Sequence, residues 1–240
     1  MMLTQKIKFS VLCLGVFFLA SCATTDIEKK DYSKFRAADL KSVLIVPAVN
    51  KSIDVDAPDY FLSTAAKPLA ERGYYVFPVH LVKRIIEDDG LSDADLVHGA
   101  DPVILAGLFN ADSVLYVSIE RWDAKYAVFS TTVTVEFNYV LKSGITGEEL
   151  WQNTQYLEYT PDSSGNSGNP LADLIASAIV AAIEKAAPSY IPLTQQANGL
   201  AVGSKFRGIP AGPYHSLYGL DQADFEGIDE QESEEEQVAN

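Results

Sequence analysis

From Thr132 to Leu141 the chain alternates in character. Val133, Val135, Phe137, Tyr139 and Leu141 share one parity, and Thr132, Thr134, Glu136 and Asn138 share the other. A period of two sends these sets to opposite faces of a pleated strand, so the stretch must lie with one face on a core and the other toward water. The alternation extends over residues 125–141 and returns over 148–160, with Ser143-Gly144-Ile145-Thr146-Gly147 as turn chemistry between them. Together with an apolar strand at 112–122, these segments predict a three-stranded antiparallel meander.

The first half of the chain follows a different rule. SVLIVPAVN, residues 42–50, is a continuous apolar run closed by Pro47 and Asn50, the pattern of a strand covered on both faces. Residues 58–72 predict a helix with Pro58 in its first turn, a kink at Pro68 and Gly73 beyond its end. Residues 74–78 predict a short strand. Residues 79–89 predict a helix on which Val79, Val82, Ile85 and Ile86 share a face, stopped by Gly90, and 102–109 predict another helix. Strands alternating with helices and followed by a meander define the fold class as α/β, a mixed sheet with an antiparallel meander in its second half and helices packed on it.

Residues 161–170 are loop by composition, and 171–187 (LADLIASAIVAAIEKAA) read as a helix apolar on nearly every face. Asp173, Glu184 and Lys185 leave it too short an uncharged core to span a bilayer. It is expected to lie buried across the sheet, and its alanines would admit the close pairing of a homo-oligomer. The chain after Pro188 is rich in Gly and Pro and is expected to be irregular over 189–220. The last twenty residues hold nine acidic and no basic side chains, the composition of a solvated, disordered tail.

The amino-terminal end sets the address. Lys6 and Lys8 precede an uncharged apolar run at 9–20, the dimensions of a signal-peptide core, and Leu19-Ala20-Ser21-Cys22 then resembles a bacterial lipobox. Such a site has its cysteine sulfur alkylated by diacylglycerol and its freed amine acylated. Several acyl chains at about 0.8 kcal/mol per buried CH₂ fasten a protein firmly to a membrane. Ala23 stands where the inner-membrane retention signal of enteric lipoproteins has aspartate, so the expected location is the outer membrane, lipid-anchored and facing the periplasm. The organisation expected is a signal peptide over 1–21, a tether over 22–41, a periplasmic domain over 42–188, an extension over 189–220 and the tail over 221–240.

Removing Lys6 and Lys8 takes the formal charge from -15 to -17, a balance that repels nucleic acid and anionic lipid surfaces alike. Cys13 falls in the leader and Cys22 is consumed by lipid, which leaves no thiol for a disulfide, a metal or a nucleophile.

Candidate chemistry is sparse. Asp54, Asp56 and Asp59, with Asn50, could gather oxygens around a ligand or ion beyond the first strand, where α/β sheets tend to bind, but they lack the glycine and distal glutamate of an EF-hand. Ser63 and Lys67 are one residue too far apart for a penicillin-binding serine-lysine pair. His80, His98 and His215 fit no metal-ligand spacing. The expectation is a protein that is not an enzyme and has no cofactor or metal.

Residues 47–91 and 109–122, and above all Pro68-Leu69-Ala70-Glu71-Arg72-Gly73-Tyr74-Tyr75-Val76, are similar to a family of bacterial outer-membrane lipoproteins of unknown function that includes a neisserial vaccine candidate. The resemblance implies a domain like the amino-terminal domain of TolB and the periplasmic domains of CsgG-type lipoproteins, and it implies CsgG-type lipoproteins as partners. The amphipathic insertions of a CsgG pore are missing, so no channel is expected. The function expected is that of an accessory or scaffold subunit of an envelope assembly or export complex. The alternative is a small-ligand or ion-binding lipoprotein.

The lipobox reading makes a direct prediction. Cys22→Ser should abolish palmitate labelling in cells and leave the leader uncleaved. A normally processed, normally fractionating product would overturn the assignment.

Overall fold

A computed structural model describes residues 30–126, 131–159 and 190–225. The lipobox, the apolar segment 171–187 and the chain beyond Phe225 lie outside them. The described elements are α1 (Ser33–Ala37), β1 (Ser42–Ile45), β2 (Val49–Asn50), α2 (Ala57–Glu71), β3 (Tyr75–Val76), α3 (Val79–Asp88), α4 (Ala94–Gly99), α5 (Pro102–Phe109), β4 (Ser113–Tyr126), β5 (Thr131–Ser143), β6 (Glu149–Tyr159) and α6 (Ile191–Gly203). A single 3-10 turn, Gln222–Asp224, follows.

The strands form one mixed sheet in the order β3-β1-β4-β5-β6, with β2 also on β4. β1 is parallel to both β3 and β4, and Pro47 ends it. The chain resumes as β2 farther along the same neighbour, Val49 opposite Ser118. Val43, Leu44, Ile45 and Val46 are all essentially inaccessible, which is why this stretch is apolar at every position. β4, β5 and β6 are the expected meander. The β4 and β5 strands reach to Tyr126 and back from Thr131, so the first turn lies beyond the 122–125 boundary read from sequence. Trp122 to Tyr126 continue the pairing past a register shift between Ile119 and Arg121.

The two faces are covered unequally. Val133, Val135, Phe137, Tyr139 and Leu141 meet Phe61, Leu62, Ala65 and Leu69 of α2, and Ala197 and Ala201 of α6, in the larger core. On the other face α3, α4 and α5 bring Val82, Ile86, Val97, Leu105 and Ala106 against Leu44, Val46, Val114 and Tyr116. Ile85 stays exposed instead of joining Val79, Val82 and Ile86. α4 was not legible as a helix by periodicity, but its start is chemically marked, since the Asp93 side chain accepts from the Asp95 amide at 2.8 Å.

α2 runs through Pro68 as one helix. It ends in a Schellman motif, with Gly73 N–H on Ala70 O, Tyr74 N–H on Leu69 O, and Gly73 at φ 82°. A Cβ at Gly73 would also lie 2.4 Å from the His215 backbone nitrogen, so only glycine permits both the helix cap and the close passage of the C-terminal chain.

Three expectations give way here. The polar stretch 22–41 is not all tether: Tyr32, Phe35 and Leu40 are at most 5% exposed and α1 packs beside β6. Three apolar residues scattered among charges carry no period that would reveal this. The chain after Pro188 is not irregular either, because Ile191–Gly203 is a helix whose Leu193, Ala197, Ala201 and Val202 are buried. Gly199 and Gly203 concealed it. Of the acidic tail, Asp221 and Phe225 are built into the body, Asp221 paired with Arg72 at 2.9 Å and Phe225 edge-on to Tyr32 at 5.3 Å between centroids.

α6 is seated by polar as well as apolar contacts. The Tyr139 hydroxyl donates to Asn198 Oδ1 at 2.6 Å, Asn198 Nδ2 donates to Thr64 Oγ1 at 2.9 Å, and Thr64 Oγ1 donates to Phe61 O at 2.8 Å, all buried. Beyond α6 the chain turns at 205–207 and then runs across the body as a strap without regular secondary structure. Trp151 Nε1 donates to Arg207 O at 2.8 Å, the Tyr32 hydroxyl to Gly208 O at 2.8 Å, Arg72 to Ile209 O at 2.6 Å, and the Tyr74 hydroxyl to Pro210 O at 2.9 Å.

Tyr139→Phe leaves Asn198 Oδ1 buried without a donor and should cost about 1–3 kcal/mol. In urea melts it should lower the midpoint with an unchanged slope. An unchanged midpoint would show that Asn198 is satisfied without Tyr139.

Candidate functional site

The loop after β2 holds the residues that sequence singled out, and its geometry follows from short polar side chains closing on their own backbone. Asn50 Oδ1 accepts from Ser52 N at 3.0 Å and Ser52 Oγ at 2.8 Å, while Asn50 Nδ2 donates to Asp54 O at 2.7 Å. Asp54 Oδ1 accepts from Asp56 N at 2.9 Å. Asp59 turns away to Lys83 Nζ at 2.6 Å. These residues therefore order the loop. Among the described residues no three His, Cys, Asp or Glu side chains form a group able to hold a metal ion.

What the loop presents outward is apolar: Ile53 is 96% exposed and Val55 85%. Behind it Trp122 is stacked between Tyr60 and Tyr190, with centroids 6.2 and 4.8 Å away. Lys51 pairs with Glu120 at 2.7 Å and ties the loop to β4. The sequence hint was present in the alternation Ile53-Asp54-Val55-Asp56, which on a strand would have buried the apolar set.

A second surface was hidden in plain view. The polar parity of β5, with its neighbours on β4 and β6, forms a sheet face that no described helix covers beyond Tyr116. A depression of about 380 Å³ there is lined by Glu120, Arg121, Glu136, Asn138 and Thr154. Arg121 Nε bonds Glu136 Oε2 at 2.8 Å, its guanidinium lies 5.9 Å from the Tyr156 ring centre, and the Tyr156 hydroxyl donates to Glu158 Oε2 at 2.5 Å. Charges paired in this way on an open face suit recognition of a polar surface. They are poorly placed to exclude water from a reacting bond.

The remaining candidates are tied into local structure. Ser63 Oγ donates to Tyr60 O at 2.7 Å, and Lys67 pairs with Glu71 at 2.6 Å. His215 Nδ1 accepts from Leu217 N at 3.1 Å, and His80 is exposed on α3. His98 Nε2 lies 3.0 Å from Pro47 O, and its ring stands edge-on to Tyr116 at 5.1 Å. That bond needs the proton on Nε2. Burial pushes the imidazole below its ordinary range, outweighing the Pro47 carbonyl and Asp95, which favour the charged form.

One mixed sheet with unequally covered faces describes an α/β domain. The profile of the family described as "Putative lipoprotein GNA1162-like" matches residues 30–214, and the chain belongs to that family. It is 32% identical over 166 residues to the Neisseria meningitidis serogroup B protein "Putative lipoprotein NMB1124/NMB1162", an alignment covering 69% of this chain and 76% of that protein. The crystal structure of lipoprotein GNA1162 from N. meningitidis superposes with a TM-score of 0.50 at 32% identity, over 60% of this chain and 99% of that one. A PelC dodecamer from Paraburkholderia phytofirmans matches at TM-score 0.40 and 19% identity, over 69% of this chain and 93% of that one. The family and fold expected from sequence are thus established, and a lipoprotein family places the chain at a membrane of the cell envelope.

For a histidine held neutral, the sign is fixed: its contribution to stability is complete above the unfolded pKa of about 6.5 and is lost as pH falls toward the depressed folded value. NMR titration of the His98 imidazole should give a midpoint below about 6.5. A midpoint at or above that value would contradict the buried neutral ring.

Proposed function

We propose that this lipoprotein is a non-enzymatic accessory or scaffold subunit of an envelope assembly or export complex, fastened to the outer membrane through acylated Cys22 and facing the periplasm. The observation that carries the reading is the β4-β5-β6 face, a broad polar surface with internally paired charges on a rigid sheet. Confinement to a membrane raises the effective concentration of neighbouring lipoproteins, so contacts that are weak in solution become sufficient. The sequence resemblance supports CsgG-type lipoproteins as partners, and a second copy of the chain is a further candidate.

The ion- or small-ligand-binding alternative at Asn50, Asp54, Asp56 and Asp59 has less support. Asp59 is committed to Lys83, and Asn50 and Asp54 to turns within the loop.

A photo-reactive amino acid in place of Tyr156, on the open face, should yield a specific adduct heavier than the monomer in living cells. The same probe at Glu71, on the outside of α2, should not. Recovery of monomer alone from Tyr156 would count against the scaffold reading.

A further inference from the structure

Between α1 and the C-terminal strap lies a cleft of about 190 Å³ whose walls include Phe35, Leu40 and Tyr74 on one side and Pro210 and Asp221 on the other. Asp221 is the unusual element. Its side chain is 8% exposed, and both of its hydrogen bonds go to one oxygen: Oδ2 accepts from Arg72 Nη2 at 2.9 Å and from Ala211 N at 2.7 Å. Among the described residues no hydrogen bond reaches Oδ1. A carboxylate has about four lone-pair positions, so a buried Asp221 retains accepting capacity at the cleft.

The rim is built for the same charge. Asp39 sits at φ 42°, a left-handed conformation that non-glycine residues adopt uncommonly, and in it the carboxylate accepts from the Tyr218 hydroxyl at 2.9 Å across the mouth. Of the nearby cations, Arg36 is turned onto the carbonyls of Gln222 and Phe225, and Lys41 lies 3.8 Å from Asp39 Oδ2 in an exposed, solvent-screened pair. Outside the mouth the strap exposes apolar side chains, Tyr214 at 73% and Leu220 at 76%, with Leu217 beside them. The sequence after Phe225 holds seven acidic residues and no basic one.

We infer that this cleft receives an arginine side chain from an apolar-flanked segment of a protein partner. The aliphatic stem and planar head would lie against the Phe35 and Tyr74 walls, and the guanidinium would reach Asp221 Oδ1 and the Asp39 carboxylate. Charge-assisted bonds to a partly desolvated carboxylate are stronger than neutral ones, which selects a cation over a neutral donor. Arginine is also enriched among the residues that anchor interfaces in pockets ringed by apolar contacts. A carboxylate or phosphate would meet Asp39 and Asp221 Oδ1, and would find Arg36 and Arg72 already bonded to carbonyls and to Asp221. The inference rests on the partner-binding reading above and gives it a specific chemistry.

The test uses the mature lipidated chain in detergent and two blocked tripeptides, Leu-Arg-Leu and its citrulline counterpart, which has nearly the same shape without the charge. Calorimetric titration should show the arginine peptide binding at least about tenfold more tightly than the citrulline peptide, the margin a charge-assisted bond provides. Asp39→Asn, which keeps a residue tolerant of the left-handed conformation, should weaken the arginine peptide several-fold without moving the melting temperature. Asp221→Asn should weaken it further, and because that variant also loosens Arg72, Asp39→Asn is the deciding one. Equal affinity for both peptides, no measurable binding of the arginine peptide at millimolar concentration, or affinity unaffected by Asp39→Asn would each overturn the inference. The last result would mean that the acidic chain end alone attracts the peptide. Any of these alongside a Tyr156 adduct in cells would leave the scaffold reading standing.

Discussion

Four consecutive carbonyls, from Arg207 to Pro210, are each caught by a side chain from a different part of the chain, and the rest of the body depends on it. An extended segment buried outside a sheet has nowhere to place its backbone oxygens, and a buried, unpaired carbonyl costs about as much as a lost hydrogen bond. Trp151, Tyr32, Arg72 and Tyr74 supply the donors and so join β6, the segment before α1, the end of α2 and the entry to β3 around one strap. Burial pushes the Tyr32 and Tyr74 hydroxyls well above their ordinary range, so both remain protonated and able to donate wherever the protein is folded under ordinary conditions.

The strap explains why the two ends of the described chain meet. Phe225 packs on Tyr32, and Arg72 reaches both Ile209 O and Asp221. It also explains two glycines. A Cβ on Gly212 would fall 2.5 Å from Gly73 O, and one on Gly73 would strike His215, so strap and helix end approach only because neither carries a side chain. The segment Glu71-Arg72-Gly73-Tyr74, inside the stretch 68–76 that most carries the sequence resemblance, is thus where α2 ends, the chain turns toward β3 and the strap is fastened.

How much of this was written in the sequence depends on whether the signal was local. The meander was legible because period-two alternation from Val133 to Leu141 reports burial directly, and α2 and α3 were legible because Gly73 and Gly90 mark their ends. α6 and the strap were not, since their burial depends on partners far away in the chain, from Asn153 and Tyr139 on the meander to Thr64, Arg72 and Tyr32 near its start, and nothing local distinguishes a glycine that loosens a loop from one that permits close packing. The candidate loop follows β2, and there its polar side chains order the loop itself. Spacing shows that Asp54, Asp56 and Asp59 are near one another, and only the fold shows that their oxygens close turns or meet Lys83. The cleft at Asp221 was invisible for the opposite reason, because an acidic residue at the head of an acidic run looks solvated until Arg72 is found beside it.

The unequal dressing of the sheet then acquires a functional sense. An antiparallel sheet tolerates water on one face, whereas parallel pairing is found almost only where both faces are covered. Here the parallel strands β1, β2 and β3 lie under α3, α4 and α5 on one face and α2 on the other, α1 and α6 continue that second layer over β5 and β6, and the open face begins where the pairing becomes wholly antiparallel. The exposed surface can therefore change its side chains without disturbing either core. Lys30, eight residues after Cys22, sits against Trp151 and Gln152 at the beginning of β6, so an anchored chain enters the body near one end of that face. Eight residues span at most about 28 Å. With the proposed anchor at Cys22, a body on so short a lead cannot wander far from the bilayer, and it would meet partners anchored in the same membrane far more often than partners free in solution.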